Sequence, residues 1–303
     1  MLTPDDMQLP FSEEGIAMLN FLMAFVMFGV ALNIRIEDFR QIANDPKPVL
    51  VGAIAQFLML PALSCLVVWV ANPYPSLGLG LLLVAACPGG NVSNFISMVA
   101  KGNLALSVSL TACSTLLSVV MTPLNFNFWA SLIPALQPTI KVFSLNWTDM
   151  LYTLAILIGL PVALGIWFGH QFPRTTKVIQ KGINNLAVIF FVVFVIFVLA
   201  KNVIQLIDFL HFVLLLVLFH NSLVMFAGYM LARATRLPIR DRRTIAIETG
   251  IQNGGLALLI VFNFFDGLGG MALVAAWWGV WHFLSGMLLA FYWSRWKPYH
   301  NYA

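Results

Sequence analysis

Nine stretches of the chain are long and apolar enough to cross a lipid bilayer as helices. A spanning helix needs about 20 mostly apolar residues, and 60% of the 303 residues are hydrophobic while only 9% are charged. Because a soluble domain carries about 25% charged residues, this composition excludes a soluble enzyme, a nucleic-acid-binding protein and a disordered chain. The sequence therefore predicts an all-α polytopic membrane protein. Its predicted spans cover residues 16–34, 48–71, 78–100, 103–124, 149–169, 183–200, 208–232, 244–264 and 271–293.

The basic residues divide unevenly between the two sides that nine spans create. Fourteen of the 16 Lys and Arg residues fall on one side, and only Lys141 and Lys201 fall on the other. By the positive-inside rule, the N-terminus then lies outside and the C-terminus in the cytoplasm. We expect an extracellular segment over 1–15, which has no basic region of a signal peptide, and a cytoplasmic tail over 294–303. The expected partner is the lipid bilayer of a plasma membrane or bacterial inner membrane, with no nucleic acid.

Two of the nine spans contain residues that interrupt helices. The third span has Cys-Pro-Gly-Gly-Asn-Val-Ser-Asn at 87–94, and the eighth has Glu-Thr-Gly-Ile-Gln-Asn-Gly-Gly at 248–255. Proline removes a backbone donor and paired glycines weaken a helix. Since lipid cannot satisfy the freed backbone groups, such breaks occur where they line a cavity inside the protein. The sequence therefore predicts two broken helices.

These breaks recur at corresponding places in two halves of the chain. They begin 161 residues apart (248 minus 87), and the span starts repeat with a shift of five helices. Because five is odd, the second half is inverted in the membrane relative to the first. We therefore expect a first half over 16–147 and an inverted second half over 148–293, a pattern typical of secondary transporters.

Glu248 is the only one of the twelve acids that the predicted spans place inside the membrane. An ionisable residue at this depth costs about 2.5–3.5 kcal/mol and indicates a functional site. The alternative is a protonated carboxyl that is hydrogen-bonded for structure. Since the spans contain no Lys or Arg, the candidate partners are hydroxyl and amide groups. These belong to Gln56, Ser93, Asn94, Ser107, Thr111, Gln252 and Asn253.

One carboxylate with several neutral oxygens suits a hard monovalent cation such as Na⁺. Ser107 and Thr111 stand one helical turn apart on the same face; taken alone, they are better explained as contacts between helices, and Gln56 suits either role. The N-termini of the half-helices offer N–H groups to an anion. His282 is a candidate switchable cation or the wall of an aromatic cavity. No catalytic constellation is present, so no enzyme is predicted.

Three motifs in order, CPGGNVSN, KGNLALSVSLT and ETGIQNGGLA, resemble the bile acid:sodium symporter family, and the resemblance runs from about Met27 to Trp293. It implies a panel of spans 1, 5 and 6 and a core of spans 2–4 and 7–9, in which the two broken helices cross. It also implies about two coupling Na⁺ ions. One implied site comprises Ser93, Asn94, Ser107, Thr111 and Glu248. The second comprises Gln56, Glu248, Thr249, Ile251 and Gln252.

The resemblance further implies an organic anion as substrate, either bile-acid-like or a small carboxylate, bound between panel and core. We expect Na⁺-coupled import by alternating access, with the substrate near Asn91, Asn253 and His282. Asn91, Gly254 and Phe283 depart from residues common in bacterial members, which leaves the substrate open. The alternatives are a proton-coupled exporter of an anion or metalloid, and an uncoupled channel or receptor. We expect no organic cofactor, and a monomer is compatible with the sequence.

Overall fold

We describe the protein from a computed structural model that covers residues 3–9, 12–32, 34, 45–143, 147–180 and 203–295, together with 182, 183, 185, 186, 189 and 193. The described residues are helical, with two isolated β-bridges and no strand among them. The predicted sixth span, 183–200, lies almost entirely outside the described residues. The same is true of the predicted tail beyond residue 295.

The helices that build this framework are labelled α1 to α10 in chain order. They are α1 (Glu13–Ala31), α2 (Pro46–Ala71), α3 (Pro75–Ala86), α4 (Val92–Val99), α5 (Leu104–Ser131), α6 (Thr148–Gln171), α7 (Val203–Ala234), α8 (Ile239–Gly250), α9 (Gly254–Phe264) and α10 (Gly269–Arg295). A short helix, Gln137–Val142, lies between α5 and α6.

Six of these helices are long and apolar enough to span a membrane: α1, α2, α5, α6, α7 over Val213–Ala234, and α10. Helices α3 and α9 are also apolar but have only 12 and 11 residues. Each is one part of a predicted span that the structure divides in two, α3 with α4 and α8 with α9. The protein is therefore a multi-pass helical membrane protein. The count of nine spans and their inverted arrangement stay predictions.

Two of the long helices accommodate an internal proline beside a turn of π-helix. Pro61 in α2 follows the π-helical turn Ala55–Met59, and Pro161 in α6 follows Ala155–Gly159. A proline ring crowds the carbonyl of the preceding turn and supplies no N–H, and the wider π-turn relieves both problems without ending the helix. The π-turn of α2 contains Gln56, one of the predicted ligands, and buries its side chain.

The segment before α1 ties together the ends of two distant helices. The Asp5 carboxylate accepts a hydrogen bond of 2.7 Å from a backbone N–H in the first turn of α3, where free donors and the helix dipole favour an anion. The backbones of Met7 and Leu9 pair with Gly269 and Gly267 at 2.6 and 2.8 Å. Gly267 has φ of +67° and no room for a Cβ against the Leu9 carbonyl, so glycine is required there. This anchored segment corresponds to the region predicted only as extracellular.

The largest apolar cluster surrounds the two short helices α3 and α9. Every residue of α3 from Ser76 to Ala86, and of α9 from Gly254 to Phe262, is buried, as expected for helices that are apolar on all sides. Helix α10 packs against both of them. The first helix break therefore begins where the buried α3 ends, and the second break ends where the buried α9 begins.

Candidate ion-binding site

The two helix breaks lie directly against each other. Gly89 in the first break and Gln252 in the second form an isolated antiparallel bridge, and the Asn253 N–H donates to the Pro88 carbonyl at 2.9 Å. Each break therefore satisfies backbone groups of the other, which the surrounding lipid cannot do. The irregular backbone is confined to residues 87–91 and 251–253.

These breaks are shorter than the predicted ranges of 87–94 and 248–255. Ser93 and Asn94 already belong to the first turn of α4, and Glu248 belongs to the last turn of α8. The helices extend further because helical hydrogen bonds remain available up to the residues beside each break. As a result, these polar side chains project from regular helix ends, whose backbone holds them more firmly than a loop would.

Glu248 has its carboxylate surrounded by hydroxyl groups from α4 and α5. Ser93 donates to Oε1 at 2.5 Å, and Ser107 donates to the same oxygen. The Thr111 hydroxyl lies 3.2 Å from Oε2 and 3.3 Å from Oε1, and also 3.4 Å from the Asn94 amide oxygen. The structure thus brings together all five residues of the first predicted Na⁺ site.

Burial raises the free-energy cost of keeping the Glu248 carboxylate charged. The Glu248 side chain is 5% exposed, and its hydrogen-bond partners in the described part of the chain are hydroxyl groups only. A buried carboxylate without a positive partner carries a large dehydration cost. Carboxylate, hydroxyl and amide oxygens are the ligands that hard cations prefer. The cluster therefore has the chemistry of a site for one small cation.

Gln56 and Gln252 form a reciprocal amide pair between α2 and the second break. The Gln56 Nε2 donates to Gln252 Oε1 at 2.8 Å, and the Gln252 Nε2 donates back at 3.1 Å. Gln56 also donates to the Cys87 carbonyl at 2.9 Å, and Gln252 to the Thr249 carbonyl at 3.0 Å. The pair thus connects α2 with both breaks. These side chains belong to the second predicted Na⁺ site.

The remaining members of that second site, Thr249 and Ile251, would contribute backbone carbonyl oxygens as ligands. The Thr249 hydroxyl donates to a carbonyl of its own helix at 2.6 Å, and the Ile251 carbonyl accepts from the first break at 3.1 Å. Each carbonyl oxygen keeps a second lone pair for another donor or an ion. A cavity of about 10 Å³ is bounded by Gln56 and Glu248, two members of the second predicted site, and by Ser114 among others. Its volume is close to that of one water-sized particle.

Gly89 packs so closely against the Glu248 carboxylate that a larger residue there should disturb it. A Cβ at Gly89 would lie 3.1 Å from Oε2, whereas a Cβ at Gly90 would lie 3.5 Å from the Gln252 carbonyl, an ordinary contact. We expect Gly89→Ala to weaken stabilisation by Na⁺, because Oε2 of the carboxylate must shift by a few tenths of an ångström away from the new Cβ. The matched variant Gly90→Ala should retain it. Thermal unfolding with and without Na⁺ measures both, and equal responses of the two variants would contradict this assignment.

The three predicted substrate residues occupy distinct positions around the breaks. Asn91 is half-buried and directly precedes α4, and Asn253 directly precedes α9. Asn253 also caps its helix, since its Oδ1 accepts the Leu256 N–H at 3.0 Å. His282 lies in α10 and is buried, and its Nδ1 has no hydrogen-bond partner among the described residues. Asn91 and Asn253 therefore stand at two helix N-termini, which favour anions, and their role as substrate ligands stays a prediction.

A buried polar network on α7 was missed at the level of sequence. The Asn221 amide donates to the Gly250 carbonyl at 2.7 Å and accepts the Ser285 hydroxyl at 2.6 Å, so it holds the end of α8 next to the break. The neighbouring His220 pairs with the Ser64 hydroxyl at 2.8 Å. The adjacent His-Asn-Ser in an otherwise apolar span is the signal that marks this network, since polar side chains inside a membrane are rarely without purpose.

A multi-pass helical protein with two interrupted helices meeting at a buried carboxylate has the architecture of a secondary transporter. The profile of the Sodium Bile acid symporter family matches residues 20–209. The chain is 29% identical over 277 residues to an uncharacterized sodium-dependent transporter, YocS, of Bacillus subtilis. The aligned region covers 91% of this chain and 83% of the relative. The chain therefore belongs to the Sodium Bile acid symporter family.

Two eukaryotic relatives show similar identity over most of the chain. The probable sodium/metabolite cotransporter BASS1, chloroplastic, of Arabidopsis thaliana is 30% identical over 277 residues, or 91% of this chain and 66% of the relative. The ileal sodium/bile acid cotransporter of Homo sapiens is 29% identical over 247 residues, or 80% of this chain and 68% of the relative. The names of these relatives span metabolites and bile acids, so they do not single out one substrate.

Proposed function

We propose that the protein is a Na⁺-coupled symporter that imports an organic anion by alternating access. The observation that carries this proposal is the buried Glu248 carboxylate. Three hydroxyl groups surround it, one of which also contacts Asn94, and no positive side chain is among its described partners. A bound Na⁺ neutralises that charge at the point where the two broken helices meet. Relatives named as sodium-dependent or sodium cotransporters add support.

The hydroxyl groups around the carboxylate suit a site that fills and empties repeatedly. A hydroxyl carries one proton and two lone pairs. When the ion is absent, Ser93, Ser107 and Thr111 donate to Glu248; when Na⁺ is bound, rotation of their protons turns lone pairs toward the ion. The heavy atoms need to move little between the two states. A site of this kind binds Na⁺ reversibly, as a coupling ion requires.

Coupling between Na⁺ binding and substrate binding follows from the helices and breaks that the ions would hold together. The first Na⁺ would bind α4, α5 and α8, and the second would bind α2, the end of α8 and the second break. The substrate anion would dock at the N-termini of α4 and α9, beside Asn91 and Asn253, whose positions depend on the same breaks. Ions that fix the breaks therefore strengthen substrate binding, and by linkage the substrate strengthens ion binding by the same factor.

The moving parts in this proposal are a panel and a core. Helix α1 packs extensively on α6, which supports a panel built from these helices with the sixth span. The core would contain α2–α5 and α7–α10. Panel and core would each draw helices from both proposed halves of the chain, 16–147 and 148–293. We place the N-terminus outside and the arginine-rich end of α7, α8 and α10 in the cytoplasm. Rocking of the core against the panel would expose the ion and substrate sites to each side in turn.

Transport in proteoliposomes tests this function directly. We test a set of bile acids, keto acids and other small carboxylates. We expect uptake of at least one of them, driven by an inward Na⁺ gradient and lost when choline replaces Na⁺. Transport driven by a pH gradient alone, with no Na⁺ requirement, would instead support the proton-coupled exporter. Flux that no gradient accelerates above passive equilibration would support the channel.

The number of ions is tested at Gln56, which belongs only to the second predicted site. We expect Gln56→Ala to raise the half-saturating Na⁺ concentration and to lower the Hill coefficient from about 2 toward about 1, because one of two linked sites is lost. Sodium titrations of uptake or of thermal stability measure both values. Asn127→Ala is a matched control, since among the described residues this amide donates within its own helix, to the Pro123 carbonyl. An unchanged Na⁺ titration in Gln56→Ala would contradict the second site.

A further inference from the structure

A second cavity, of about 550 Å³, lies between α7, α8 and α10. Two arginines, Arg233 and Arg243, line it, and no Asp or Glu is among its described lining residues. We call it the arginine cavity. Four more arginines, at positions 236, 240, 242 and 295, lie near the lining residues in sequence, on the α7–α8 connection, in the first turn of α8 and at the end of α10.

Arg243 is a buried cation whose bonding capacity is only partly used. Its side chain is 2% exposed, one guanidinium nitrogen donates to the Ala100 carbonyl at 2.8 Å, and the group lies 5.9 Å from the centre of the Trp293 ring. Its Nε has no hydrogen-bond partner among the described residues. Because an unpaired donor on a buried charge is costly, the missing partner is expected to be an anion.

Apart from Ser222 and Ser285, the rest of the arginine cavity is lined by apolar and aromatic side chains. Tyr229 stacks on Trp293 with ring centres 5.7 Å apart, and Phe226 and Met230 on α7 line the cavity while being 62% and 39% exposed. In a membrane protein, such exposed apolar groups on a spanning helix face lipid chains. The cavity thus combines one buried guanidinium group, that of Arg243, with the exposed Arg233 and with exposed apolar side chains on α7.

We propose that the arginine cavity binds the headgroup of an anionic phospholipid. The phosphate would lie between Arg233 and Arg243, since a guanidinium fork matches phosphate oxygens in pairs, and the acyl chains would run over Phe226 and Met230. Basic pockets between membrane helices bind lipid headgroups in this way. A soluble phosphate or carboxylate shares the headgroup's charge but has no acyl chain to contact the exposed apolar side chains. We therefore assign the site to a lipid.

Such a lipid would act on the transport machinery through Arg243. This residue lies five positions before Glu248 on α8 and bonds to the residue that ends α4. An anion that completes its hydrogen bonding would hold the outer ends of α4 and α8 together. These two half-helices both carry ligands of the first predicted Na⁺ site, so a bound lipid would favour the arrangement in which those ligands are assembled.

The test compares lipid binding by the full-length protein purified in detergent, using native mass spectrometry to count bound lipids and thermal unfolding to measure stabilisation. Phosphatidylglycerol is the probe, phosphatidylcholine the neutral lipid and inorganic phosphate the soluble anion. We expect wild type to bind phosphatidylglycerol at least about tenfold more tightly than phosphatidylcholine, since charged hydrogen bonds account for such a preference. Equal stabilisation by inorganic phosphate would overturn the assignment to lipid.

Matched arginine variants separate a site from general surface charge. Arg233→Gln, at an exposed position that tolerates change, and Arg243→Lys, which keeps the charge but loses the fork, should each weaken phosphatidylglycerol binding about tenfold. Arg236→Gln removes the same charge at the same end but lies outside the cavity, and should leave binding unchanged. Equal effects of Arg233→Gln and Arg236→Gln would overturn the proposal, whatever happens to the folding of the Arg243 variant. Glu248→Gln should retain lipid binding, since its site is separate.

Discussion

Glu248→Gln is expected to abolish Na⁺-driven uptake and all stabilisation of the protein by Na⁺. The substitution keeps the shape of the side chain but removes the one full charge of the site, so the hydroxyl groups of Ser93, Ser107 and Thr111 alone must bind the ion. A ligand at 100 times its Kd adds about 2.7 kcal/mol to the free energy of unfolding, which raises the unfolding midpoint by a few degrees. Thermal unfolding in NaCl against choline chloride measures this rise.

The same variant should fold normally in the absence of Na⁺. A neutral amide has no charge to dehydrate, so removing an unpaired buried carboxylate leaves the free energy of unfolding unchanged or raises it. The matched control is Glu14→Gln, which neutralises an exposed acid in the first turn of α1 and should preserve the Na⁺ response. A folded Glu248→Gln protein that is still stabilised selectively by Na⁺ would contradict the proposed site.

The side chains around Glu248 could be predicted because they follow local rules. Ser107 and Thr111 are one turn apart in a continuous helix, so periodicity alone places them on one face. Ser93 and Asn94 follow a Pro-Gly-Gly break, whose composition marks it in a single sequence. The structure places all of these side chains within one cluster with Glu248. Local spacing and the resemblance to known motifs were together sufficient for this part.

Contacts between distant segments could not be predicted in the same way. The Asp5 carboxylate caps a helix 71 residues later, and no spacing rule connects an acid with a helix N-terminus so far along the chain. The bridge between Gly89 and Gln252 joins two breaks whose composition predicts irregular backbone but not its partner. Asn221, which holds the end of α8, resembles a packing residue until its carbonyl acceptor on another helix is known. Such contacts depend on tertiary packing rather than on local sequence.

One contact between α1 and α9 identifies a surface that must open if panel and core move relative to each other. Asn20 and Asn263 form a reciprocal amide pair, with hydrogen bonds of 3.0 and 2.8 Å. In the proposed division, Asn20 belongs to the panel and Asn263 to the core. Amide pairs inside a membrane protein contribute about 0.6 kcal/mol each on average, so this pair can join the two parts in one state and release them in another.

A cross-link at this pair is expected to stop transport completely. Cys65, Cys87 and Cys113 are free thiols, so they are first replaced. In that background, we expect the double variant Asn20→Cys/Asn263→Cys to react with a short thiol-specific cross-linker. The covalent link holds α1 against α9, so panel and core cannot separate there, and a rocking transporter can then expose its sites to one side only. Uptake should fall to background and return when a cleavable linker is reduced.

A cross-link within the proposed panel distinguishes locking from damage. Phe28 on α1 and Phe168 on α6 have ring centres 6.0 Å apart, and Phe28→Cys with Phe168→Cys joins two helices that move together in the proposed mechanism. This cross-link should leave most transport intact, as should each single cysteine variant treated with the same reagent. If fully cross-linked Asn20→Cys/Asn263→Cys protein still transports, α1 and α9 do not part during the cycle. If the Phe28–Phe168 link instead stops transport, the boundary between the moving parts lies within the proposed panel.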